Sequence, residues 1–216
     1  MSEVDQETNG GRHAGREVAL QVLYAVDLAA DPKALSARLE GEAAEAEASI
    51  VPQPPSGPAA MRGLGEGAPA PARTESVEDV LARAAARAAE AARLSTLTSP
   101  RSPEGCAAIF DSTTEHFDVP NSAIAFARQL VDGVVGLGEQ LDEILGQHAR
   151  NWRVSRMAVV DRNVLRLAIY ELRESDTPIA VVIDEAVDLA RRFGSDTSPP
   201  FVNGVLDAVA KELRAA

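Results

Sequence analysis

The chain of 216 residues has one cysteine, Cys106, and only 4% aromatic side chains. A single thiol cannot close an internal disulfide, so a disulfide framework is excluded. The aromatic shortage matters because much of the 45% apolar content is alanine, which buries little area compared with leucine or valine. A single core running through the full length is therefore not expected. No apolar run approaches a membrane span and the N-terminus lacks an apolar signal core, so a cytoplasmic protein without membrane partners is the expectation. Basic residues are outnumbered 21 to 33, for a formal charge of −12. Phosphate contacts need Lys or Arg. The deficit is uneven, however: from Arg150 onward the two signs nearly balance, and a local basic patch survives.

Catalytic signatures are missing as well. His13, His116 and His148 fall on different elements with no metal-type partner at i,i+3 or i,i+4. Asp184, Glu185 and Asp188 share a helix but read as a solvated face. There is no phosphate-binding loop, nucleotide-binding glycine fingerprint or nucleophile elbow. The expectation is a protein that is not an enzyme and needs no cofactor or metal.

What the sequence does contain is helical period. Met157 to Leu172 is apolar around most of the wheel, with a polar strip of Arg162, Asn163 and Arg166, and this marks a central helix with Ser155 as its expected cap. Asp161 and Glu171 fall among its apolar positions and require a partner, for which arginines of neighbouring helices are the natural source. Further helices are expected at about 12–30, 120–148, 178–193 and 199–213. The first reads as amphipathic, with Ala19, Val22, Leu23 and Val26 inward and His13, Glu17 and Tyr24 on another face. The second carries Gly133, Gly136 and Gly138, which weaken it or admit a close neighbour, so a bend is expected there. Gly194 stands where the 178–193 helix should be capped, and Ser198 and Pro199 open the last helix. No strand pattern of useful length occurs, and the fold class is all-α.

Composition divides the chain into three parts. Residues 1–30 hold a polar tail and the first helix. Residues 31–115 are rich in Pro, Gly and Ala, with few large apolar side chains, and read as a largely disordered insertion that includes Cys106. Within it Val77 to Leu94 has helical character but little to pack. Residues 116–216 hold the remaining helices.

Three surface patches suggest binding. Arg12, His13 and Arg16 bring positive charge to the start of the first helix, beside Tyr24, whose ring could pack on a base. Arg162, Arg166 and Tyr170 follow one edge of the central helix at i,i+4 steps. Phe201 follows Pro199-Pro200 beside the buried stripe of the last helix, either as a stacking platform or as rim of the core.

The phrases RHAGREVALQVLY, NWRVSRMAVVDRNVLRLAIYEL, TPIAVVIDEAVDLARRFG and FVNGVLD, in that order, strongly resemble the NusB family of transcription antitermination factors. The resemblance implies two small helical subdomains and an RNA-binding role. It implies partners too: boxA RNA of ribosomal RNA leader transcripts, the small-subunit ribosomal protein NusE, and the RNA polymerase antitermination complex. It maps RNA contacts onto Arg12, His13, Arg16, Tyr24, Asp161 and Phe201. On this mapping Arg16→Glu and Phe201→Ala should weaken the complex without unfolding the protein. Two departures stand out: Ala14 and Gly15 interrupt the basic cluster, and Pro200 replaces a commonly basic residue. Homodimer formation through apolar helix faces is left open by the sequence.

Overall fold

The computed structural model describes residues 3–31, 99–115, 117, 119–149 and 152–215. Among these residues every regular element is helical: α1 (Glu3–Ala30), α2 (Pro103–Thr114), α3 (Asn121–Gly136), α4 (Gly138–His148), α5 (Val159–Glu174), α6 (Ile179–Phe193) and α7 (Ser198–Ala215). A short 3-10 turn, Val154–Arg156, precedes α5. The segment Val77 to Leu94 lies outside the described residues.

The helices form two groups. α1, α2 and α3 pack on one another, as do α5, α6 and α7, while α4 touches α5 and α7. α5 joins the groups because it also meets α1 and α3. One continuous core passes through both, and the central position expected for the 157–172 region is the one observed. Its boundary differs: α5 begins at Val159 with Ala158 at the cap position and no side-chain cap, and Ser155 lies in the 3-10 turn instead. Ser198 is likewise the first residue of α7 and not its cap; its Oγ accepts a hydrogen bond from the Ser195 N–H at 2.9 Å.

α1 is more buried than an amphipathic helix with a decorated face would be. Every residue from Val18 to Leu28 is buried, Tyr24 included. A helix apolar on all sides needs cover on all sides, and part of that cover is α2. This helix lies inside the span whose composition reads as insertion, and it corrects that reading for Cys106, which is buried with Ile109 and Phe110 in the core. Its start is well built: the Ser102 Oγ accepts from the Gly105 N–H at 3.1 Å, Pro103 occupies the first turn, and Glu104 faces the positive end of the helix.

The expected long helix over 120–148 is broken at Leu137, the residue that ends α3 and opens α4. Gly133 serves a neighbour: a Cβ there would lie 2.1 Å from the Tyr170 ring, so α3 and α5 approach this closely only through glycine. Gly15 does the same between α1 and α3, where a Cβ would meet Phe126 at 2.8 Å. The residue that thins the basic cluster is thus required by packing.

Candidate nucleic-acid interface

α1 begins at Glu3 and not near residue 12 as expected, so Arg12, His13 and Arg16 lie inside its first half, where they gather around α3 and α6. Arg12 is exposed, with its guanidinium 5.4 Å from the Phe126 ring centroid. His13 is half-exposed and has a carboxylate at each ring nitrogen, Glu185 Oε2 at 2.8 Å from Nδ1 and Glu17 Oε1 at 3.2 Å from Nε2. Arg192 reaches back to Glu17 from the end of α6. Arg16 is different. It is 2% exposed, and its Nε and Nη2 donate to the two oxygens of Glu171 at 2.8 and 2.7 Å, with Glu185 at 3.7 Å. This fork-on-carboxylate geometry satisfies both charges and explains how Glu171 is tolerated on the buried side of α5. Arg16→Glu would therefore set a third carboxylate against Glu171 and Glu185, and the expectation that it leaves the fold intact is corrected.

The other expected residues lie elsewhere. Tyr24 is inside the core at 2% exposure. Asp161 is partly buried in the first turn of α5, where the helix dipole favours a carboxylate, and its Oδ1 has no hydrogen-bond partner. Phe201, in the first turns of α7, is partly buried and packed against the core, and its ring centroid lies 5.4 Å from that of Trp152 at an interplanar angle of 53°.

A second charged constellation was only half legible in the sequence. Asp27, near the end of α1 and almost fully buried, accepts from Arg162 at 2.8 Å, Arg166 at 3.2 Å and Arg101 at 2.7 Å, while the Asn163 amide donates to it at 3.3 Å. Arg166 also donates two bonds of 2.7 Å to Asp142 of α4. Burial alone would raise the Asp27 carboxyl; the Arg162 hydrogen bond and the charges of Arg166, Arg162 and Arg101 outweigh it and hold the group below its ordinary 3.8. A cleft of about 270 Å³ opens beside this network, with Leu23, Val134 and Glu139 on its wall. The polar strip of α5 announced the arginines. Asp27 carried no signal apart from being a carboxylate inside the run VLYAVDLAA.

The pairing leaves a residue of free charge. Among the arginines whose side chains are described, Arg12, Arg153 and Arg156 have no carboxylate within ion-pair distance, whereas every other one does. All three are exposed.

Fold and site thus define an all-helical protein whose charged side chains tie helices together, with a few unpaired arginines facing outward. Residues 80–211 match the model of the NusB family, more than half of the chain, and the chain belongs to that family. This is a family of transcription antitermination factors and not of enzymes. The match reaches into the span expected as insertion and does not include α1, which nonetheless sits in the shared core. The transcription antitermination protein NusB of Myxococcus xanthus is 49% identical over 92 residues, 42% of this chain and 66% of that one. Its counterpart from Desulforudis audaxviator is 45% identical over 104 residues, 48% of this chain and 75% of that one. A solved structure of T. maritima NusB is 41% identical, covers 48% of this chain and 75% of its own, and superposes with a TM-score of 0.45. Among the described residues no helix is long and apolar enough to cross a membrane.

Proposed function

We propose that this protein binds boxA RNA of ribosomal RNA leader transcripts together with the ribosomal protein NusE, and that within the RNA polymerase antitermination complex it promotes read-through of terminators in the cytoplasm. The observation that carries the reading is the family match, with relatives that bear the name transcription antitermination protein. Arg12 supplies an unpaired cation for phosphate, and His13 stands next to it. Asp161 is assigned to the RNA edge as the residue that opens α5; its Oδ1 is buried, so contact with a ribose hydroxyl or a base amino group falls to the part of this side chain that stays partly exposed. Phe201 offers a ring edge at the opening of α7. Arg16 and Tyr24 act from beneath the surface, by holding α1 in place.

Filter binding of boxA RNA, with and without the ribosomal protein, tests this. Binding should tighten with the partner and show a salt slope of only a few ions, since few phosphates can be neutralised by so acidic a chain. Equal, salt-insensitive binding to unrelated RNA would overturn it. Arg12→Glu should weaken the complex at unchanged melting temperature, and Phe201→Ala, which also removes packing from the rim of the core, should weaken it in a protein that still unfolds cooperatively; normal affinity in both refutes the site.

A second reading is a helical module that joins the complex through protein contacts without touching RNA. The commitment of Arg16 to an internal ion pair favours it. A stable complex with the ribosomal protein, combined with no detectable RNA binding by either component or by the pair, would select it.

A further inference from the structure

Trp152 is the only tryptophan of the chain and is 55% exposed, whereas indoles in folded proteins are usually mostly covered. Its position is fixed from two sides. The backbone N–H donates to the carbonyl of buried Ala149 at 3.0 Å, and the ring leans on Phe201, itself packed against the core. The 53° tilt between the rings leaves no parallel slot between them, so Phe201 backs the indole and leaves an indole face to solvent. Arg153 follows Trp152 directly, and Arg156 closes the 3-10 turn that comes next. These are two of the three unpaired arginines, in a chain of net charge −12 whose other described arginines all have carboxylate partners.

We infer that Trp152, braced by Phe201 and flanked by Arg153 and Arg156, is a stacking platform for a base of single-stranded RNA. The inference rests on the RNA-binding reading above and adds to it a residue and a mode of contact. An exposed aromatic ring followed within four residues by two exposed arginines without carboxylate partners is a combination that single-stranded nucleic acid recognises: the ring accepts any base face, and the cations take neighbouring phosphates. A protein surface is the less suited occupant. It would gain from the indole but would have to supply carboxylates for both arginines, whereas an RNA strand brings a phosphate at every step.

The lone tryptophan makes the test direct. The full chain is titrated with single-stranded boxA RNA while indole fluorescence and filter retention are read on the same samples, alongside an otherwise identical oligonucleotide carrying abasic positions. Fluorescence should be quenched with the midpoint of RNA retention, and the abasic strand should quench less. Trp152→Ala should weaken RNA binding roughly 5- to 100-fold, and Trp152→Phe should recover part of that loss. Arg153→Gln with Arg156→Gln should lower the salt slope by about 0.7 per arginine.

RNA retained at wild-type affinity by Trp152→Ala, or retained by the wild type with no change in indole emission, would overturn the platform and leave RNA binding standing. No retention of RNA would remove both. A variant that binds RNA normally but loses the ribosomal protein would assign the surface to a protein instead. The wild-type fluorescence measurement needs no variant and decides the matter even if Trp152→Ala misfolds.

Discussion

Removing the Asp27 carboxylate would take from Arg101 and Arg162 the carboxylate they pair with and leave Arg166 with Asp142. Breaking a buried ion network from one side costs about 3–5 kcal/mol, and the partly exposed Arg101 places this case toward the lower end. Asp27→Asn should therefore lower the urea midpoint substantially. The effect should also depend on pH. The folded carboxyl titrates below its ordinary 3.8, so its stabilisation is complete above that value and is lost as pH falls through the lower, folded one. Denaturation at pH 6 and pH 3 should show a larger loss on acidification for the wild type than for Asp27→Asn; equal losses would refute the assignment. Cys106 makes a complementary prediction. Burial first, then the charge of Asp132, push its thiol up to about 11 against the opposing pull of Arg128. Alkylation at pH 8 should run at least about 100-fold slower in the folded protein than in urea, because both the thiolate fraction and access are reduced.

At the scale of elements, helices α5 to α7 were legible because apolar period and boundary signals agree there: Pro178 before α6, Gly194 after it, and the Ser198-Pro199 opening of α7. α2 was hidden by its surroundings. Its Ser102-Pro103-Glu104 start is a well-formed signal, but it stands at the edge of a long low-complexity stretch and offers only three large buried groups, Cys106, Ile109 and Phe110. The all-round burial of α1 was obscured for the same reason, since the sequence did not display its cover. The candidate site was legible in its charge and not in its pairing: two arginines on one helix face look alike until the fold gives Arg16 a buried carboxylate and leaves Arg12 outside. Packing between elements yields one firm expectation. Gly133→Ala forces its methyl group into the Tyr170 ring and should cost about 1–3 kcal/mol. Combining it with Tyr170→Ala should cost less than the two single changes summed, which thermal denaturation of the four proteins would measure.

For the molecule as a whole, five of the described arginines tie distant parts of the chain together. Arg101 meets Asp27 across 74 residues, Arg166 meets it across 139, and Arg16 meets Glu171 across 155. Contacts of such separation are unusual for a helical protein, whose folding is normally fast because its contacts are local. Refolding followed by stopped-flow circular dichroism is expected in milliseconds or longer and not in microseconds. The same arrangement has a consequence during synthesis. At about 5–20 residues per second, the Glu171 that neutralises Arg16 is made roughly 8–30 seconds after it. α3 begins only at Asn121, 105 residues after Arg16, so for about 5–20 seconds of that interval the Val18–Leu28 stretch, buried throughout in the finished fold, has none of α3, α5 or α6 yet made to cover it, and it is then that a holding chaperone would have the most to gain.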